Sequence, residues 1–245
     1  MKDNFSDQSN LYQQFRPTYP IELLEWIYQH VTNFNTAWDC GTGNGQIASE
    51  LATKFNHIFA TDISTQQLAN APILPNIKYS KQAAEHTNFS NDVFDLITVG
   101  QAIHWFDFEK FYAEVKRTAK TNALIAVVGY GKFNSEPAID SIIETLYTDI
   151  IGTYWDKERI FIEEKYLTIP FPFKEIECPD FSKEYSWSFS QLIGYLKTWS
   201  AVKHYQKEKN KNPIDLIKKK LESYWKSGEV KIIKFPIIIR MGRIN

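Results

Sequence analysis

Apolar positions along this chain fall into short runs separated by stretches of helical period. "TAWDC" (36–40), "HIFATD" (57–62), "IKYSKQ" (77–82), "FDLITVG" (94–100) and "ALIAVVGY" (123–130) are rich in β-branched or aromatic residues, as expected of strands covered on both faces. Between the first two, "GQIASELATKF" spaces Ile47, Leu51 and Phe55 four apart, which predicts one apolar helix face. A strand, loop, helix and strand thus follow one another over residues 36–62. "FEKFYAEVKRTA" predicts a further helix before the 123–130 strand. The alternation is that of a doubly wound, mostly parallel α/β sheet. After Tyr130 it stops: residues 134–170 read mainly as helix, rich in Tyr, Trp and Ile, and predict a helical cap. Then come a strand at "FKEIECPDF", helices at "SQLIGYLKTWSAVKHYQKEK" and "PIDLIKKKLESYWKSG", and a closing strand or hairpin arm at "EVKIIKFPIIIRMGR". One domain is expected, with an N-terminal lid and first helix (1–35), a core (36–133), a cap insertion (134–172) and a C-terminal part (173–245).

The 245 residues suffice for one α/β core with a modest cap. With 28 Lys and Arg against 29 Asp and Glu, charge favours neither nucleic acid nor an anionic membrane, and "KEKNKN" reads as a solvated helix end. Cys40 and Cys178 are too few and too far apart for a disulfide framework or a zinc site, so no metal and a reducing, cytoplasmic compartment are expected. No signal-peptide core and no apolar run of roughly 18 residues is present, so no membrane span is expected. The partner implied is a small molecule; the oligomeric state is not legible.

Chemistry concentrates first in "AWDCGTGNGQ". Gly41, Gly43 and Gly45 lie between a strand and a helix, at the carboxyl end of a parallel strand where such sheets bind ligands. The dinucleotide fingerprint needs a third Gly or Ala where this chain has Gln46, and it has no use for the acid at Asp39. S-adenosylmethionine carries an ammonium and a sulfonium but no pyrophosphate, and tolerates a nearby carboxylate. At the end of the second strand Asp62 is placed to accept from two ribose hydroxyls, although "DISTQQL" also resembles a helix start that Asp62 would cap. Ala83, Ala84 and Glu85 follow the third strand, small enough for a flat adenine to lie against, with a carboxylate for its amine.

The blocks "DCGTGNGQ", "TDISTQQLANA", "AAEHTNFSNDVFDLIT" and "QAIHWFDFEKFYAEVKRT" together resemble the class I S-adenosylmethionine-dependent methyltransferases, and within them the trans-aconitate methyltransferase-like group. "FSDQSNLYQQFRPTYP" and "QLIGYLKTWSAVKHY" extend the resemblance over almost the whole chain. Thr42 stands where the group often has Cys or Ser, and Thr121, Asn122 and Ala123 where it usually has Pro-Gly-Gly. The resemblance implies a Rossmann-like seven-stranded sheet with the last strand antiparallel and the cofactor over the first strands. It also implies a cofactor set of Asp39, Gly41, Thr42, Gly43, Gly45, Gln46, Asp62, Ile63, Gln67, Ala84, Glu85 and Gln101. The expected reaction is methylation of a small molecule on oxygen, and of an acid, leaving S-adenosylhomocysteine.

Residues after the fourth strand should face the methyl group. Gln101 can bond the methionine part of the cofactor, and His104 is the best-placed titratable group, with a structural hydrogen bond as its alternative role. Trp105 offers an apolar or cation-attracting wall, Phe106 reads as core, and Asp107 as a helix cap. Tyr12 and Arg16 are four apart and can form a lid, Arg16 clamping a carboxylate or else making a surface ion pair. Leu192, Tyr195, Leu196 and Trp199 form a helical stripe expected in the core, with Tyr195 and Trp199 also candidates for the acceptor pocket. A nicotinamide-dependent oxidoreductase is disfavoured by Asp39 and Gln46; a non-catalytic cofactor-sensing or partner-binding protein stays open.

Overall fold

A computed structural model describes residues 15–226 and 228–244. In chain order the elements are α1 (Ile21–Gln29), β1 (Thr36–Cys40), α2 (Gln46–Leu51), β2 (His57–Asp62), α3 (Thr65–Ala69), β3 (Ile77–Lys81) and β4 (Phe94–Gly100). They continue with α4 (Phe108–Thr118), β5 (Ala119–Tyr130), α5 (Pro137–Glu144), α6 (Arg159–Glu163), β6 (Lys174–Ile176) and β7 (Phe181–Trp187). The last are α7 (Phe189–Lys197), α8 (Ser200–Lys209), α9 (Asp215–Glu222) and β8 (Lys231–Arg243). No helix among the described residues is long and apolar enough to cross a membrane.

The strands stand in the order β3-β2-β1-β4-β5-β8-β6, with β7 also on β8. β1 to β5 pair in parallel. β8 runs antiparallel to β5 and to β6 and β7. From β1 the chain moves outward through β2 and β3, then returns to place β4 on the other side of β1. The connections leaving β1 and β4 therefore diverge, and a crevice opens where they part.

Both faces of the sheet are covered. All five residues of β1 are buried, the polar Thr36 and Asp39 included, so the strand shows no alternation of exposed and buried positions. Trp38, Phe94, Phe111 and Val115 pack on one face; Leu23, Ile27, Leu51 and Ile58 pack on the other. The predicted stripe Ile47, Leu51 and Phe55 is buried on this second face. A third core, built around Phe133, Ile139, Leu192, Trp199 and Phe235, lies under the cap.

Two expectations need refinement. The expected seven strand positions are present among the described residues with one of them divided, which makes eight strands: β6 and β7 both lie on the β8 edge opposite β5, with the register slipping by one residue between them. They form one strand interrupted at "ECPD", where Pro179 has no amide for the ladder. The predicted helix over 190–209 is two helices. Thr198 Oγ1 donates to the Tyr195 carbonyl at 2.6 Å, and its own carbonyl is taken by Arg16, so the first helix ends and the second starts at Ser200.

Candidate functional site

The loop leaving β1 is shaped by two backbone positions that exclude a side chain for different reasons. Gly41 has φ +67°, and a Cβ there would stand 2.7 Å from Cβ of Ala102. Gly43 has φ +56°, and nothing lies within 4 Å of where its Cβ would be. The first position is closed by protein; the second, which lines the cleft, has open space beside it. Gly45 caps α2 from behind, beside Tyr79, and does not line the cleft.

Asp39 braces this loop from within. It is 1% exposed and accepts from Thr42 Oγ1 (2.5 Å), Thr98 Oγ1 (2.8 Å) and the Ala48 amide (3.1 Å). Burial raises its pKa to about 6, the three hydrogen bonds opposing the shift and the neighbouring Asp62 carboxylate adding to it. Asp62 sits at the end of β2, with Oδ2 accepting from the Gly43 amide (2.9 Å) and Oδ1 from the Ser64 amide (2.8 Å). Ser64, not Asp62, caps α3.

These residues wall a cleft of about 980 Å³, including its open mouth, at the crevice between β1 and β4. Of the predicted cofactor set, Asp39, Gly41, Thr42, Gly43, Gln46, Asp62, Ile63, Gln67, Ala84 and Gln101 line it. Glu85 does not; its carboxylate accepts from the Asp107 amide at the start of α4. Asp107 itself caps α4. Phe106 is both buried and part of the cleft wall. The open space at Gly43, the Asp62 carboxylate at the end of β2 and the small Ala84 fit a nucleoside with two hydroxyls and a flat base. The Asp39 carboxylate beneath the loop does not suit a pyrophosphate.

Gln101 closes the inner end. Its backbone is left-handed, with φ +52°, unusual for a residue with a side chain. Its side chain secures the turn: Oε1 accepts from the Tyr130 amide (2.8 Å) and Nε2 donates to the Tyr130 carbonyl (3.3 Å). The predicted bond to the cofactor therefore competes with an existing pair, although Nε2 has a second proton.

A second pocket, of about 490 Å³ with its mouth, adjoins the cleft and shares Arg16, Gln101 and Trp105 with it. His104, Trp155, Asp156, Arg159, Ile162, Trp199 and Ser200 supply the rest of its lining. His104 is 5% exposed, with Nδ1 3.3 Å from the Tyr166 hydroxyl. Burial, and then the nearby Arg159 charge, lower its pKa to about 3. Arg16 donates from Nη1 to the Tyr130 hydroxyl (3.0 Å) and from Nη2 to the Thr198 carbonyl (2.9 Å), over the Tyr195 ring. Tyr195 lies behind Arg16 and lines neither pocket. Tyr12 lies outside the described residues.

Sequence reasoning did not single out Arg159, Trp155 or Asp156. "DKERIF" resembles a solvated helix end, and the trace of a site is the four-residue spacing of Trp155 and Arg159. Tyr130, which joins Arg16 to Gln101, reads simply as the last residue of a strand.

Comparison with known proteins agrees with this geometry. The family profile of a methyltransferase domain matches residues 38–127, which span the loop, Asp62 and β4. A methyltransferase of Dictyostelium discoideum is 33% identical over 249 residues, covering 98% of this chain and 95% of its own. One of Schizosaccharomyces pombe is 24% identical, over 84% and 83% of the two chains. The solved structure of a type II methyltransferase from Anaeromyxobacter dehalogenans is similar with a TM-score of 0.87 and 35% identity, over 94% of this chain and 98% of the other.

Proposed function

The chain belongs to the class I, S-adenosylmethionine-dependent methyltransferases, and we propose that it methylates a small molecule on oxygen, the acceptor oxygen being that of a carboxylate. The observation that carries this reading is the state of His104. Transfer to a phenol or alcohol calls for a group that takes up a proton near neutral pH. His104 is a poor candidate: it is buried, its Nδ1 lies 3.3 Å from the Tyr166 hydroxyl, and burial holds its pKa down at about 3. A carboxylate is already ionised at pH 7 and asks only for alignment and exclusion of water. A pocket with two arginines beside the cleft is consistent with an acid.

The cofactor supplies an activated methyl group on a sulfonium. In the proposed division of labour, Asp62 accepts from the ribose hydroxyls, Ala84 and Ile63 flank the base, and Gly41, Thr42 and Gly43 form the floor under the methionine part. Gln46, Gln67 and Gln101 supply amide groups around it. Asp39 acts at one remove by fixing the loop. Residues 36–133 hold the cofactor, while the segments 134–172 and 173–245 build the acceptor side. Trp105 and Trp199 wall the acceptor, and His104 holds the cap loop through Tyr166. The acid acceptor supports placement in the trans-aconitate methyltransferase-like group, and the two cysteines suit a cytoplasmic setting. The test is a screen of small acids, phenols and amines with methyl-labelled cofactor. Base-labile methyl esters are expected; label found solely on phenols or amines overturns the reading.

A further inference from the structure

We infer that Arg159, and not Arg16, recognises the acceptor, by gripping an anionic group of it at the wall of the second pocket that the cofactor cleft does not share. The inference rests on reading that pocket as the acceptor site. Arg16 was the sequence candidate for this task, but its fork is already engaged, one terminal nitrogen by the Tyr130 hydroxyl and the other by the Thr198 carbonyl. It joins β5 to the break between α7 and α8.

Arg159 is held differently. Its Nε donates to the Tyr147 hydroxyl at 2.8 Å, and the Tyr147 hydroxyl donates in turn to a Glu163 carboxylate oxygen. The guanidinium lies over the rings of Trp155 (4.9 Å) and Tyr147 (5.5 Å). Trp155 is fixed by its own indole bond to the Tyr147 carbonyl at 3.1 Å. The plane of the fork is thus set before any ligand arrives. Among the described residues no carboxylate pairs directly with Arg159, and neither of its terminal nitrogens has an acceptor. Glu163 compensates the charge through a tyrosine and leaves the bidentate edge for an anion.

Position then constrains the ligand. Arg16, Gln101 and Trp105 form the boundary with the cleft, and Arg159 lies beyond it. The anion that Arg159 holds is therefore not the atom that receives the methyl group. The acceptor has two ends, an anion at Arg159 and a nucleophilic oxygen at the boundary, joined by a body flat enough for walls of Trp105, Trp155 and Trp199. A fork bond at the recognition end leaves the electron pair of the reacting oxygen undiminished.

The test uses the full chain and its R159Q, R159K and R16Q variants, each saturated with S-adenosylhomocysteine. Benzoate, cinnamate, terephthalate and the neutral terephthalamide are titrated calorimetrically. The wild type is expected to prefer terephthalate to terephthalamide by at least tenfold. R159Q should lose about 30-fold or more toward the acids with the amide unchanged, R159K should fall between, and R16Q should lose less than R159Q. Acid binding by R159Q equal to wild type, a larger loss in R16Q than in R159Q, or no acid bound by the wild type overturns the inference. Titration of S-adenosylhomocysteine itself separates the levels: its failure to bind the wild type defeats the methyltransferase reading, whereas normal binding with acids indifferent to residue 159 defeats this inference alone.

Discussion

The Gly43 amide donates to Asp62 Oδ2 across 2.9 Å, so the loop after β1 and the end of β2 are one hydrogen-bonded unit. Asp62 also accepts from Ser64, which positions the start of α3. Asp62→Ala should weaken S-adenosylmethionine binding by roughly 1.5 to 3 kcal/mol, the range for hydrogen bonds to a charged group. It should also lower the melting temperature, since two amides lose their acceptor. Calorimetry and thermal unfolding together check this; unchanged affinity would return Asp62 to a purely structural part.

Gly41→Ala and Gly43→Ala should fail in opposite ways. Each costs on the order of 1 kcal/mol for a left-handed backbone. The Gly41 variant adds a 2.7 Å clash with Ala102 and should lose the larger share of stability. The Gly43 variant meets no protein atom, keeps most of its stability and loses cofactor affinity, because Gly43 lines the cleft and its methyl group would take up open space beside the loop. Equal cofactor affinity in wild type and Gly43→Ala would place the ligand elsewhere.

His104→Gln should retain substantial activity, with no limb near pH 6 to 7 removed from the rate profile. The stability signature is more specific. With a pKa of about 3 when folded against the ordinary histidine value of 6.5, the unfolded chain binds the extra proton between these limits. His104 therefore costs no stability above about pH 6.5 and a growing amount as pH falls toward 3, roughly 2 kcal/mol by pH 5. Urea unfolding at pH 7.5 and 5 should show the wild type losing that much more than the variant. A 100-fold loss of activity in the Gln variant, with a wild-type pKa near 6 to 7, would instead make His104 a general base and remove the case for a carboxylate acceptor.

Asp39 works in the opposite sense. Its folded pKa of about 6 exceeds the ordinary aspartate value of 3.8, so its contribution to stability is fully present below pH 3.8 and is lost as pH rises through 6. Ionisation is nevertheless what the loop requires, because a protonated carboxyl has one acceptor oxygen fewer for Thr42, Thr98 and the Ala48 amide. Cofactor affinity should hold above pH 6 and fall by up to about tenfold per unit below it. Asp39→Asn should show weaker binding and a flat profile over the same range. An identical slope in the variant would assign the titration to another group.

The parallel core was legible because short runs rich in β-branched and aromatic residues alternate with segments of helical period, and β1 to β5 stand where those runs do, buried throughout in β1 and partly exposed along the edge strand β3. The loop glycines were legible for a related reason: a backbone that must turn left or approach a ligand leaves a mark in residue type. The acceptor side was not. Tyr147, Trp155 and Arg159 meet through a wide, π-type turn at Thr145–Ile150, and no periodic pattern announces that turn. Arg16 looked like an anion clamp because its two partners, a tyrosine hydroxyl and a backbone carbonyl, are remote in sequence. The break at Thr198 was hidden because an apolar stripe continues across it.

β8 is made after every other strand yet lies between β5 and the β6–β7 edge. During synthesis, at about 5 to 20 residues per second, β5 is left with one flank unpaired while some hundred further residues are added, a wait on the order of ten seconds. The sheet then closes by accepting a strand into an internal slot rather than onto its rim. A nascent chain arrested before residue 231 should expose the β5 edge, a template for pairing between chains. Assembly of the core under the cap, where Trp199 of the second pocket packs in one cluster with Phe235 of β8, is therefore among the last events in the making of this protein.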